Sequence, residues 1–255
     1  MKRFKHILPM TKKVLTDPAG AAGDFAAPGA GSGGPLAVYF IYCAAYALFL
    51  YMKPAGFPAE FSEAAREFSG SSYPWLFSVL ASFELAFTAV FCVFFAVIAG
   101  FLREGRLALK FLSGCAACGS YAAAAFYFKA EPLFSLFFPA AAGTAAYAGV
   151  RAKKASTAAF FRFSLTVNAA ILLCLPVYAL ATALRNETFY TAAEAAGGIW
   201  MAVLTIKAAR TLFGVTTVRA ALALVFSLIA AICSFYMLKN LGLIPSAVFR
   251  FLLYM

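Results

Sequence analysis

Residues 75–102 read WLFSVLASFELAFTAVFCVFFAVIAGFL, and Glu84 is the only charged side chain in this run. A helix that crosses the hydrocarbon core of a bilayer needs about 20 mainly apolar residues. The run exceeds this length without a break. The sequence therefore predicts a transmembrane helix over residues 75–102.

The composition of the whole chain points in the same direction. Of its 255 residues, 64% are hydrophobic and 12% are charged, and the mean hydropathy is +0.86. An ordinary soluble domain is about 45–50% apolar and about 25% charged, and a single soluble core cannot hide so much apolar surface. These values exclude a soluble enzyme, a secreted disulfide scaffold and a disordered regulator. They predict an all-α, polytopic transmembrane helix bundle.

Seven stretches meet, or nearly meet, the length that a membrane crossing requires. They are Pro35–Met52, Trp75–Leu102, Leu107–Phe128, Pro132–Val150, Phe160–Leu184, Ala195–Phe213 and Val218–Leu238. The fourth contains Pro139 and the sixth contains Lys207 and Arg210, but both are needed for the alternation of basic loops. The chain accordingly divides into a cytoplasmic segment (1–34), a transmembrane domain (35–238) and a short interfacial tail (239–255).

The charges predict the orientation, because short cytoplasmic loops carry an excess of Lys and Arg. With the N-terminus inside, 15 of the 21 basic residues fall on inner segments. These are Lys2, Arg3, Lys5, Lys12, Lys13, Arg103, Arg106, Lys110, Arg151, Lys153, Lys154, Arg162, Lys207, Arg210 and Arg219. Six of the ten acidic residues fall outside. The net charge of +11 is therefore interpreted as an orientation signal and not as a nucleic-acid-binding surface, and the expected partners of the basic loops are anionic inner-leaflet lipids.

The two terminal segments are predicted to lie outside the membrane core. Apolar residues alternate with lysines over the first 15 positions, which is typical of an amphipathic stretch on the inner membrane surface. Asp17-Pro18 is expected to end that stretch, and Ala19–Gly34 is expected to be a flexible Gly/Ala leash. At the other terminus, Asn240–Met255 is predicted to form a short helix in the membrane interface.

Short motifs give no set of catalytic, cofactor-binding or metal-binding residues. Cys115 and Cys118 form a CxxC pair, which can be a redox or metal motif or a pair of small packing residues beside Gly114 and Gly119. The packing interpretation is favoured because a thioredoxin-type site needs a βαβ setting. His6 is the only histidine, so neither a His-based metal site nor a Ser-His-Asp triad is available. The sequence predicts a non-enzymatic protein.

Glu84 is the one acidic residue within a predicted span, and Asn168 in the fifth span is its expected polar counterpart. A charge inside the bilayer costs at least ~2.5 kcal/mol on insertion scales, and such residues often have a function. Two interpretations remain open. Glu84 can couple to a proton or an ion, or it can form a structural hydrogen bond between helices.

The last third of the chain carries a recognisable arrangement. An aromatic entry, Phe160-Phe161-Arg162-Phe163, leads into a span with Pro176, and Trp200 opens the next span. Gly214 and Ala220 follow in a turn before the last span, and Pro18 precedes the first one. This arrangement resembles the Yip-domain family, small polytopic proteins first known as partners of Ypt/Rab GTPases and widespread in bacteria.

The resemblance implies five family spans with a cytosolic N-terminus, to which Leu107–Val150 adds a hairpin. It also implies a role in membrane organisation or partner interaction, in the cytoplasmic membrane of a bacterium, with a protein partner or a second copy of the chain. The alternative is a small transporter or permease that uses Glu84 and Asn168.

Overall fold

The computed structural model describes residues 7–54, 57, 71–127, 143–144, 147, 151 and 153–253. Every regular element within these residues is a helix, so the prediction of an all-α polytopic bundle is confirmed.

The helices are numbered here in chain order. They are α1 (Ile7–Thr16), α2 (Pro18–Ala26), α3 (Gly33–Met52), α4 (Tyr73–Leu102), α5 (Leu107–Tyr127), α6 (Lys154–Val167), α7 (Ala169–Ala183), α8 (Glu187–Phe213), α9 (Thr217–Asn240) and α10 (Ser246–Leu253). Within α4, Leu80–Glu84 has π-helical geometry. A break at Asn168 separates α6 from α7.

The long helices run up and down between two ends of the bundle. Arg219 at the start of α9 bonds to the Leu102 carbonyl at the end of α4, and Phe213 at the end of α8 lies near Lys154 at the start of α6. We call this the basic end. At the opposite end, Lys53 after α3 bonds to Tyr190 at the start of α8.

Six segments of the described chain are long and apolar enough to span a membrane: α3, α4, α5, the pair α6–α7, α8 and α9. They match six of the seven predicted spans. The remaining one, Pro132–Val150, falls almost wholly outside the described residues. The helices on either side of it, α5 and α6, have their nearer ends at opposite ends of the bundle. Helix α5 runs parallel to α9, with Phe111 near Phe226 and Phe126 near Tyr236, so α5 ends opposite the basic end. Helix α6, in contrast, begins at the basic end.

Aromatic rings fill the core near the basic end. The rings of Phe95 and Phe160 are 4.4 Å apart between centroids, and Phe213 lies 5.6 Å from each. Such aromatic contacts add about 0.5–1.5 kcal/mol each beyond the area they bury. Ala220 is fully buried in the same cluster, where its small side chain lets α9 approach the rings.

The N-terminal segment corrects the prediction of a flexible leash and adds packing contacts to the predicted amphipathic stretch. Pro18–Ala26 is a helix and not part of a flexible leash, since Asp17 caps it by accepting from the Gly20 N–H and Pro18 occupies its first turn. The apolar face of α1 packs on protein and not on lipid alone, because Val14 is fully buried against Ala159 and Phe163 of α6.

The C-terminal helix α10 forms as predicted, but its apolar side chains also pack on the bundle. Val248 and Phe249 are buried in the cluster that contains Tyr39 and Leu80. These buried side chains make the described part of the tail a part of the core, and its position in the membrane interface stays a prediction.

Candidate intramembrane polar site and basic end

Glu84 lies at the end of the π-helical turn of α4, and its side chain is half-buried in the bundle. Its Oε2 atom is fully buried and has no hydrogen-bond partner. The Tyr42 hydroxyl of α3 is the side-chain group that interacts with the carboxyl. A carboxyl oxygen that is buried without a partner is costly in a low-dielectric interior, so Glu84 is an unusual polar group for a membrane domain.

Tyr39 explains how the π-helical turn is accommodated. Its hydroxyl donates to the Leu80 carbonyl at 2.9 Å, and this bond is buried. A π-turn interrupts the regular pattern of α-helical hydrogen bonds and is frequent at functional sites. Tyr39 therefore supplies, from the neighbouring helix, a partner for a carbonyl of this irregular turn.

A column of aromatic side chains leads from Glu84 to the opposite end. The Tyr42 and Tyr46 rings stack at 5.7 Å, and Tyr46 stacks on Phe49 at 6.2 Å. Phe49 contacts Tyr178, whose ring lies 5.8 Å from that of Tyr190. The sequence shows this face of α3 only as tyrosines at i, i+3 and i+7, a spacing that places them on one side of a helix.

The column ends at Tyr190, whose hydroxyl interacts with two charged residues, Lys53 and Glu194. Lys53 Nζ donates to the Tyr190 hydroxyl at 3.1 Å and lies 4.5 Å above its ring centre. Glu194, one turn further along α8, interacts with the same hydroxyl. Burial lowers the pKa of the Lys53 ammonium, and the charge of Glu194 opposes that shift.

The structure does not join Asn168 to Glu84, so the expected pair is wrong. Asn168 is buried, but it lies at the break between α6 and α7, and no hydrogen bond between the two side chains occurs within the described residues. The partner of Glu84 comes from α3 instead. A polar residue in a span predicts burial but does not reveal which neighbouring helix it faces.

Two cationic side chains of the basic end hold helices together. Arg162 of α6 donates to the Phe25 carbonyl at 2.8 Å, near the end of α2, and to Ser32 before α3. Arg219 donates to the carbonyls of Leu102 and Gly105 at 2.8 Å, which caps the end of α4. These bonds satisfy carbonyls that a helix end leaves without partners.

Seven further cationic side chains of the basic end have no protein partner within the described part of the chain. Among the described residues, neither a hydrogen bond nor an ion pair engages the side chains of Lys12, Arg103, Arg106, Lys153, Lys154, Lys207 and Arg210. They are exposed or half-buried and leave this end strongly positive. It is the end that the charge pattern assigns to the cytoplasmic side.

The family-like residues are placed as follows. Gly214 ends α8 in the left-handed conformation, with φ of 64°, which is common for a glycine that follows a helix. Pro176 lies inside α7, and Pro18 is in the first turn of α2. Trp200 lies near the middle of α8, half-buried against the cluster of α1 and α2, and not at the outer end of a span as predicted. The reason is that α8 begins at Glu187, eight residues before the predicted span.

The CxxC pair lies on α5. Cys115 is exposed, and Cys118 is half-buried near the Phe226 carbonyl. Gly114 packs on Phe226, since a Cβ there would lie 2.6 Å from the ring, whereas Gly119 has no neighbour within 4 Å. Within the described residues, no group of three His, Cys, Asp or Glu side chains is arranged to hold a metal ion.

Comparison with family models, with curated proteins and with solved structures finds no match for this chain. The resemblance to Yip-domain proteins therefore stays a prediction made from the sequence motifs.

Proposed function

We propose that this protein is a non-enzymatic integral membrane protein that organises lipids, or holds a partner, at its basic end. The observation that carries the proposal is the set of cationic side chains without a protein partner at that end. Near an anionic leaflet, each Lys or Arg contributes about 1 kcal/mol of attraction. Several such residues on one end of a bundle form a surface that attracts anionic lipids.

The fold supports this proposal because hydrogen bonds connect neighbouring helix ends at the basic end. Arg162 and Arg219 use their guanidinium groups to bind backbone carbonyls of neighbouring segments, and so fix the positions of helix ends at this surface. The free cations are thus presented by a fixed scaffold. The resemblance to Yip-domain proteins favours the same type of role, with a protein partner or a second copy of the chain as the binding partner.

Lipid analysis tests the proposal directly. The protein is extracted from its membrane in native nanodiscs, and the lipids retained are compared with those of the whole membrane. We expect anionic lipids to be enriched several-fold, and the enrichment to fall when free cations of the basic end are replaced by Gln. Arg185→Gln, at the opposite end, is the matched control. A lipid composition equal to that of the whole membrane would contradict the proposal.

The second candidate function is a small transporter, and the unpartnered oxygen of Glu84 favours it. Proton flux into proteoliposomes, followed with an enclosed pH-sensitive dye, separates the two functions. We expect equal and negligible flux for the wild type and Glu84→Gln. A proton flux that the wild type shows and Glu84→Gln lacks would establish transport and displace the first proposal.

A further inference from the structure

A cavity of about 450 Å³ opens at the basic end, between the end of α4, the start of α6 and the turn from α8 to α9. Three cationic side chains line it: those of Arg103, Lys153 and Lys154. None of the three takes part in an ion pair within the described part of the chain. Glu104, the acidic neighbour of Arg103, is not among the lining residues.

The start of α6 adds backbone donors to the same wall. Lys153 precedes the helix and provides no side-chain cap, so the first N–H groups have no intrahelical acceptor. The helix dipole makes this end partly positive. The Ser156 side chain also lines the cavity and brings a hydroxyl group.

Neighbouring elements hold Arg103 in position. Arg219 donates to the backbone carbonyls of Leu102, Arg103 and Gly105, which fixes the turn that carries the Arg103 side chain. Gly214 approaches from the other side, where a Cβ would lie 3.9 Å from Nε and Nη2 of Arg103. The turn that carries Arg103 is therefore held by Arg219, and the guanidinium group lies next to Gly214.

We infer that this cavity binds a phosphate group, supplied by the headgroup of an anionic phospholipid. The inference rests on the proposed function, in which the basic end faces the cytoplasmic leaflet. Three positive charges around one cavity repel each other, and the negative charge of a phosphate group offsets part of that repulsion. Its oxygens match the fork of an arginine and the partly positive end of a helix. Inorganic phosphate has the same chemistry and is the alternative source.

Thermal unfolding of the full chain in neutral detergent tests the inference, since a ligand that binds the folded state raises the apparent melting temperature. The probes are a short-chain phosphatidylglycerol, a phosphatidylcholine with the same chains, and inorganic phosphate at matched ionic strength. The cavity variant is Arg103→Gln/Lys153→Gln/Lys154→Gln. The surface variant, Arg106→Gln/Lys207→Gln/Arg210→Gln, removes the same charge from exposed sites of the same end outside the cavity.

We expect phosphatidylglycerol to stabilise the wild type, to bind the surface variant at most a few-fold more weakly, and to bind the cavity variant about a hundredfold more weakly. Without lipid, the apparent melting temperature of the cavity variant should equal that of the wild type. If it does not, the double variant Lys153→Gln/Lys154→Gln is used in place of the triple variant. Stabilisation by inorganic phosphate as strong as that by phosphatidylglycerol, and lost in the cavity variant, would support the site but overturn the lipid source.

Other outcomes overturn the inference. Equal weakening in the two variants would remove the cavity site and leave the basic end as a diffuse anionic-lipid surface. Equal stabilisation by phosphatidylcholine and phosphatidylglycerol, or no stabilisation of the wild type by any probe, would overturn the cavity site. Whether the proposed function also fails is decided separately, by the analysis of the lipids that the wild type retains in nanodiscs.

Discussion

Tyr39 is the single residue on which the geometry around Glu84 depends most directly. It lies on α3, is fully buried, and donates its hydroxyl to the Leu80 carbonyl at the start of the π-helical turn. A carbonyl that is buried away from water and left without a donor costs the full desolvation of that group. The hydroxyl therefore stabilises both the helix contact and the irregular turn that positions Glu84.

Tyr39→Phe removes this hydroxyl and leaves the ring in place. We expect the free energy of unfolding to fall by about 1 kcal/mol, in line with interhelical hydrogen bonds in membrane proteins and with the cost of an unsatisfied carbonyl. Unfolding by SDS from mixed micelles measures the change. The control is Tyr51→Phe on the same helix, where the side chain is 57% exposed. An equal loss in both variants would show that the Tyr39 bond contributes nothing specific.

Lys53 gives the protein a predictable pH dependence. Because burial lowers its pKa in the folded state, the unfolded chain binds more protons at pH values between the folded pKa and the ordinary value of about 10.4. Stability that depends on this group therefore rises with pH in that window. We expect the wild type to gain stability relative to Lys53→Met as the pH rises above neutral. A stability difference between the wild type and Lys53→Met that stays constant or shrinks as the pH rises would contradict this prediction. Lys207→Met is the control for general effects of alkaline pH.

Part of the candidate site could be predicted from sequence. Glu84 stands out because a single charge in a long apolar run is visible without a structure. Its partner could not be identified, because Tyr42 and Asn168 are equally plausible neighbours until the helices are packed. Tyrosines are also common at membrane interfaces, so a column of them along α3 does not by itself indicate a buried path.

Among the helices, α7 and α8 show how a small residue permits close contact. Gly197 of α8 is buried, and a Cβ at this position would lie 2.7 Å from the Tyr178 hydroxyl of α7. Small residues at helix contacts in membranes allow this approach. At the next residue, Gly198, an added Cβ would have no neighbour within 4 Å. Gly198 therefore serves as the control position for substitutions of Gly197.

Gly197→Ala should destabilise the protein by about 1–3 kcal/mol, the range for overpacking a fitted contact. Gly198→Ala should be neutral or stabilising by up to about 1 kcal/mol, because alanine is the better helix former. Adding Tyr178→Phe to Gly197→Ala removes the clashing oxygen and should restore most of the loss, which a double-mutant cycle measures. Equal effects of the two glycine variants would refute this packing argument.

The N-terminal helices show where composition misleads. Ala19–Gly34 is rich in Gly and Ala, which predicts flexibility, yet α2 packs Ala21 and Ala22 against α6 and α8. The start signal was present, since Asp17 followed by Pro18 is typical of a helix N-terminus. The sequence does not show which helices α2 packs against, and short alanine-rich helices owe their stability to that packing.

For the whole molecule, hydrophobic length and charge alternation predict the six candidate spanning segments that the described structure contains, with differences at their ends and at the break at Asn168. The clearest case is α8, which begins at Glu187, whereas the predicted span begins at Ala195. Hydropathy marks only the apolar part of a helix, so the polar first two turns were left out. Contacts between helices, such as that between Arg162 and α2, do not follow from either signal.

The orientation in the membrane is predicted from the charges alone, with the basic end in the cytoplasm. On a background without the six native cysteines, Glu104→Cys lies in an exposed turn at the basic end and Thr188→Cys is exposed at the opposite end. We expect an impermeant thiol reagent to label Thr188→Cys in intact cells and Glu104→Cys only after permeabilisation. The reverse pattern would place the basic end outside and would remove the basis for its attraction to the anionic lipids of the inner leaflet.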